Sequence, residues 1–261
     1  MNLSIKDKLR ETSTLIRENL REILSLFPAE EELFDAIRYS TLAESGCIRG
    51  FLILEFSDLF NAPFGDALEV ASAVEMIHSF SLIHDDLPAL DNSLERRNQP
   101  ACHVAFSEST AILAGDALLV LAYQLLSHYG SGIIQDASKY VLEMIVGQVH
   151  DLKQEKVISS SEINVMKTGA LFALSCSCIG HLCNRANDDL DILRKFGYEF
   201  GRLFQAVDDI TDDDAGDYPC KTLNKSLECC RKMINTSFMI QKKAILSELL
   251  DYVTESVLPP R

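Results

Sequence analysis

Three aspartates stand in an otherwise apolar stretch, Ser81-Leu-Ile-His-Asp-Asp-Leu-Pro-Ala-Leu-Asp-Asn92: Asp85, Asp86 and Asp91. A carboxylate among apolar side chains costs free energy unless it is paired or bound to a cation. A second set lies far downstream, in Gln205-Ala-Val-Asp208-Asp209-Ile-Thr-Asp212. Either set alone reads as a solvated helix end. Two sets, each closing an apolar helical segment and each with polar residues along the acid stripe, favour a site. Facing one another across a cavity they would hold hard divalent cations, which take oxygen ligands. The ligand such a cavity suits best is a pyrophosphate.

The elements that must position these acids are helical in pattern. Between Asp66 and Asp86, the residues Ala71, Glu75, His78, Leu82 and Asp85 share one stripe, so His78 and Asp85 reach the same face two turns apart. Pro88 cannot continue that helix, and a break there lets Asp91 turn back toward Asp85. Gly201, Gln205, Asp208 and Asp212 form one stripe of a segment from Leu190 to Asp213. Other helical patterns run from Leu9 to Phe27, from Glu30 to Ala43, through Phe51–Phe60, from Ser107 to His128 with an interruption at Gly115-Asp116, from Ile133 to Leu152, and from about Leu223 to Val257. Ser159 to Glu162 reads as a capping signal. No alternating strand pattern, internal repeat or linker is present. The expectation is an all-α fold, one domain over residues 1–261, with about ten helices.

The 261 residues are 47% hydrophobic, enough for one sizeable core. With 24 Lys+Arg against 39 Asp+Glu the net charge is −15, which argues against nucleic acid as a partner. The N-terminal residues are too charged for a secretory leader, and no uninterrupted apolar run approaches a membrane span of about 18 residues. The eight cysteines include no CxxC pair. A cytoplasmic protein with reduced thiols is expected. Cys176, Cys178, His181 and Cys183 read as small helical core residues rather than a metal cluster.

The pattern Asp85-Asp86-x4-Asp91, Arg96-Arg97, Asp208-Asp209-x2-Asp212 resembles the trans-isoprenyl diphosphate synthases, or polyprenyl synthetases. Ile77-His78, Leu113 to Leu118, Gly147-Gln148-x2-Asp151, Lys167-Thr168-Gly169 and Phe204-Gln205 stand between in the family's order. The match is nearest to the bacterial short-chain farnesyl type. The resemblance implies a helical bundle around a deep central cavity, probed by an allylic diphosphate and isopentenyl diphosphate, and a homodimer. It implies three Mg²⁺ ions, with Mn²⁺ as a substitute: Asp85 and Asp91 hold two, Asp208 the third, with Asp86 and Asp212 in support. Arg96, Lys167 and Lys221 would neutralise the leaving diphosphate, with Thr168, Gln205 and Gln148 lining the site. Arg49, His78 and Arg97 would take the diphosphate of isopentenyl diphosphate. Phe80, five residues before Asp85, would limit the product to the C10–C15 range, or else pack in the core.

The chain departs from the family where Gly46 and Cys47 replace a Lys and an Arg of the isopentenyl site. A charge-assisted phosphate contact contributes about 1.5–3 kcal/mol, so binding there is weakened. Lys221 and Lys225 are also closer together than the family's paired lysines. Two other readings follow: a weakly active or non-catalytic subunit of another prenyl synthase, or an enzyme that ionises an allylic diphosphate alone, like a terpene synthase.

Overall fold

The computed structural model describes residues 3–27, 31–153, 158–211 and 217–257. Twelve α-helices carry about three quarters of them. Helix α1 (Ile5–Ser25) begins at Ser4, whose hydroxyl accepts the Asp7 N–H at 3.2 Å, and buries Leu9, Ile16, Leu20 and Leu24 along one face. Helices α2 (Glu32–Thr41) and α3 (Ile48–Leu59) follow. Helix α4 (Phe64–Asp85) is apolar nearly all round, and Val70, Ala73, Val74, Met76 and Ile77 have no exposed surface. It packs on α3 and on α6 (Glu108–Leu126), with the four-residue α5 (Cys102–Ala105) between them in the chain. Helix α7 (Ser131–Asp151) borders α9 (Ala170–Leu182), which is buried along almost its whole length and lies against α10 (Asn187–Thr211). Helices α11 (Asp217–Thr236) and α12 (Lys243–Thr254) complete the bundle.

Two departures from regular helix matter for the site. After α4 the chain turns back on itself: the Asp91 N–H donates to the Asp85 carbonyl at 2.8 Å, and Ser93 donates to Asp86 at 3.2 Å. These bonds satisfy carbonyls that a helix end leaves open. Beyond them, Glu95–Arg96 and Gln99–Pro100 pair as a two-stranded hairpin, the one departure from an all-helical pattern among the described residues. Its turn holds Arg97 and Asn98 at φ of +55° and +59°, as a type I′ turn demands. The second departure is between α8 (Ser160–Asn164) and α9, where Val165–Gly169 forms a π-helical turn. Such wide turns often sit at functional sites, and this one carries Lys167 and Thr168.

The expected capping signal is present: Ser159 donates its N–H and hydroxyl to the Glu162 carboxylate and accepts the Glu162 N–H. Two expectations need correction. Gly115 does not interrupt α6; a methyl group there would lie 2.2 Å from His84 Nε2, so the glycine admits that ring. The last helical region is not continuous: it breaks at Ser237, whose hydroxyl accepts the Met239 N–H at 3.2 Å, and a 3₁₀ turn (Phe238–Lys242) leads into α12. The run Asn235-Thr236-Ser237, poor in helix formers, was its sequence signal. Two stretches, Glu108–Tyr129 and Glu162–Leu182, are long and apolar enough by composition to cross a membrane, although neither is an uninterrupted apolar run. The second is mostly buried in the bundle; the first is about one third buried.

Candidate active site

Helices α4, α7 and α9 and the π turn enclose a cavity of about 320 Å³. Its apolar wall includes Phe80, Leu82, Met144, Val149 and Leu171. Its polar lining is Arg49, His78, Asp85, Gln148, Lys167 and Thr168, with His84 and Ser81. The stripe expected on α4 is therefore present, since His78, Leu82 and Asp85 all face this space. Phe80 packs edge-on against His84 at 5.1 Å between ring centres, and His84 Nε2 donates to the Ile112 carbonyl at 3.0 Å.

Asp85 stands at the C-terminal end of α4, where the helix dipole disfavours negative charge. Burial and the neighbouring Asp91 push its carboxyl up to about 6, against the pull of Lys167. Asp86 has a different environment. It is 2% exposed and takes a forked pair from Arg96, whose Nε donates at 3.0 Å and whose second terminal nitrogen donates at 2.5 Å. Asp86 and Arg96 thus bind each other. Asp91 lies at the exposed rim.

The second acid set ends α10. Asp209 accepts from Gln205 at 2.9 Å and from Asn164 at 3.1 Å, and Gln205 in turn accepts the Thr168 hydroxyl at 2.7 Å. This chain ties α10 to the π turn. The helices can approach because Gly201 lies over Gly169: a methyl group on Gly201 would stand 2.5 Å from the Gly169 Cα. Asp208 acts electrostatically on Arg49, which lines the same cavity as Asp85. Asp212 lies outside the described residues.

Lys167 donates to Asp151 at 2.6 Å. Gln148 lines the cavity with both amide atoms buried and no hydrogen-bond partner. Arg49 sits over the Phe172 ring, 4.4 Å from its centre, and its buried Nε also has no partner. Burial lowers this guanidinium to about 10, with Arg97 adding to the fall and Glu75 opposing it. Arg97 donates to the Ser40 carbonyl at 3.3 Å. Burial and the guanidinium groups of Arg49, Arg97 and Arg96 hold His78 well below its ordinary pKa, so it is neutral near pH 7. Lys221, by contrast, is exposed on α11 and does not line the cavity; neither does Lys225.

Gly46 faces open space, with Ile48 as its nearest neighbour at 3.6 Å. Cys47 is buried in the left-handed region at φ +42°, its thiol 3.1 Å from the Ser45 hydroxyl and pushed up to about 12, chiefly by burial. Asp151, the partner of Lys167, stands in one of the family landmarks, whereas Asn164, the partner of Asp209, carried no distinct sequence signal.

Similarity to known proteins fits this geometry. The family described as polyprenyl synthetase matches residues 30–228. The chain belongs to the polyprenyl synthetase family. It is 37% identical over 214 residues to the farnesyl diphosphate synthase of Buchnera aphidicola, covering 76% of this chain and 73% of that one. It is 35% identical over 222 residues to the small subunit of the heterodimeric geranylgeranyl pyrophosphate synthase of Arabidopsis thaliana, covering 79% and 68%. It spans less than two thirds of two plant geranylgeranyl pyrophosphate synthases, 58% and 59%. In structure it resembles the geranyltranstransferase of Thermotoga maritima, with a TM-score of 0.86, 29% identity, and coverage of 95% of this chain and 99% of that one.

The oxygen-rich rim suits the divalent cations this family uses. Asp85 and Asp91 are hard donors, and the carboxyl of Asp85 is raised chiefly by burial. Among the described residues no three His, Cys, Asp or Glu side chains could hold an ion together. Bound ions would therefore draw further ligands from a diphosphate, as Mg²⁺ commonly does. The cysteine–histidine stretch forms no such group either. His181 is 3.0 Å from Asp136, and Cys176 and Cys178 are fully buried core.

Proposed function

We propose that this protein is a prenyltransferase that joins an allylic diphosphate, dimethylallyl or geranyl, to isopentenyl diphosphate and releases a short-chain prenyl diphosphate. The observation that supports this reading is an apolar cavity that presents Asp85, Lys167 and Arg49 together, with Asp208 of the second acid set close enough to act electrostatically on that Arg49. The cavity walls exclude water from the reacting carbon. The allylic C–O bond breaks with its electron pair leaving on the diphosphate. The double bond of isopentenyl diphosphate attacks the cation, and a proton then leaves to the released diphosphate, so no protein base is required.

Asp85, Asp91 and Asp208, with Asp86 and Asp212 in support, would hold Mg²⁺, which would supply electrophilic stabilisation of the leaving group. Lys167 balances the growing negative charge, and Thr168 and Gln205 orient it. Gln148 offers the cavity an uncommitted amide. Arg49, Arg97 and the neutral His78 grip the second diphosphate, His78 as a hydrogen-bond donor rather than a charge. Arg96 supports this rim through Asp86, rather than standing free to meet the leaving group. Phe80, seated on His84, closes the cavity below Asp85 and favours a C10–C15 product.

The working form is proposed to be a homodimer in the cytoplasm. Leu113 and Val120 of α6 and Leu142 and Val149 of α7 are large apolar side chains exposed on adjacent helices. Val149 also lines the cavity, so a second copy would complete its outer wall. All eight thiols are free, which suits a reducing compartment.

Incubation of the purified protein with Mg²⁺, labelled isopentenyl diphosphate and a C5 or C10 allylic diphosphate tests the reading. Label in a C10–C15 product supports it. Gly46 and Cys47, with the resemblance to a plant small subunit, favour a second reading as a regulatory subunit. An inert protein that changes the product of an added synthase would establish that instead. Allylic turnover indifferent to isopentenyl diphosphate would mark a terpene-synthase-like enzyme.

A further inference from the structure

Helix α3 opens without a conventional cap. Its first flanking residue, Cys47, is in the left-handed region and makes no side-chain bond to the helix. The first N–H groups of a helix have no partner within it. Here the amide of Gly50, third residue of α3, donates to the carboxylate of Glu75 on α4 at 3.0 Å. Glu75 is 4% exposed, in the interior of a helix whose other buried residues are apolar or serine. A buried carboxylate of this kind is costly and calls for a reason.

The reason lies on either side of it. Arg49 directly precedes Gly50, and its charge, with that of Arg97, acts on Glu75. Three residues along α4, His78 faces the same cavity as Arg49. Neither arginine is within ion-pair distance of Glu75, so the carboxylate does not neutralise them by contact. Its direct bond is to the backbone that carries Arg49. We infer that Glu75 is a positioning residue of the cationic pocket: by capping α3 through the Gly50 amide it fixes Arg49 in register with His78 for the second diphosphate. This rests on the functional reading given above. In this chain, with Gly46 and Cys47 offering no cations, that register falls on Arg49 and Arg97 alone.

The test separates the cap from the charge. Glu75→Gln keeps an oxygen of the same reach, and so keeps the cap without the charge. Glu75→Asp keeps the charge but falls one methylene short. The expected result is that Glu75→Ala and Glu75→Asp raise KM for isopentenyl diphosphate at least tenfold, shift KM for the allylic substrate less than twofold, and leave kcat within threefold. Glu75→Gln should stay within threefold of the parent or bind more tightly. If Glu75→Ala does not fold, the Asp variant decides by the same criterion. Equal effects on both substrates, an unchanged KM in Glu75→Asp, or a folded Glu75→Gln as impaired as Glu75→Asp would overturn the assignment. Should the parent show no condensation, the functional reading fails. The role of Glu75 is then judged by calorimetric titration of the same variants with isopentenyl diphosphate, with a tenfold loss of affinity in Glu75→Asp required. Absence of binding by the parent would overturn it too.

Discussion

At the residue scale, two neighbouring aspartates show how environment divides roles. Asp86 has Arg96; Asp85 has a helix C-terminus, an apolar wall and another acid nearby. The charged form of Asp85 is disfavoured until a cation arrives. Replacing it with the neutral Asn should cut kcat by about 10³-fold, the scale of losing a major electrostatic stabiliser. The same change should leave the Tm of the metal-free protein unchanged or higher, because it removes a poorly solvated charge. Steady-state kinetics with thermal denaturation checks both, and a lower Tm would contradict the account of Asp85. His78 makes an opposite case. Its native pKa lies well below the unfolded value of 6.5, so between those values the unfolded chain binds a proton that the native state does not. Stability should then fall as pH drops below about 6.5, at up to about 1.4 kcal/mol per pH unit. In His78→Gln that part of the slope should vanish. Urea denaturation at pH 7.5, 6.5 and 5.5 measures it; parallel profiles for both proteins would refute it.

At the scale of elements, the site depends on close crossings rather than on any one helix. The contact of Gly201 with Gly169 brings Gln205 to Thr168, and so holds the π turn to α10. Gly201→Ala should force these backbones apart, destabilise the protein by about 1–3 kcal/mol as overpacking does, and lower Tm by several degrees. Differential scanning calorimetry tests it, and an unchanged Tm would mean that the crossing relaxes without strain. Local signals made much of this legible in the sequence. The span of α4, the reversal after Pro88 and the Ser159–Glu162 cap all rest on residues within a few positions of each other. The stripe on α4 put His78, Leu82 and Asp85 on the cavity face as its periodicity required. What the sequence did not disclose depends on distant partners. The buried Asp86 that Arg96 grips was not legible as its partner. Lys221 matched a family position but faces solvent. Glu75 was visible as one member of a stripe, but the amide it caps belongs to another helix. The left-handed turn at Arg97 and Asn98 follows from hairpin pairing that four residues of strand could not announce.

At the scale of the molecule, the apolar surface of α6 and α7 is the feature the isolated chain leaves unexplained. If a second copy covers it, Val120→Glu combined with Leu142→Glu should convert a dimer into monomers in sedimentation velocity. Exposing the outer wall of the cavity should also reduce turnover. A wild-type protein that sediments as a monomer at micromolar concentration would remove this proposal without touching the chemistry of the site. If a second copy does cover this face, the membrane-length apolar composition of α6 belongs to the greasy side of an assembly and not to a bilayer.

Arg49 rests on the face of the Phe172 ring. A ring face attracts a cation without occupying its N–H donors. If Arg49 takes the second diphosphate as proposed, sulfate or phosphate in a purification buffer would compete for the same guanidinium, and assays prepared in such salts would report a poorer enzyme than the one the chain encodes.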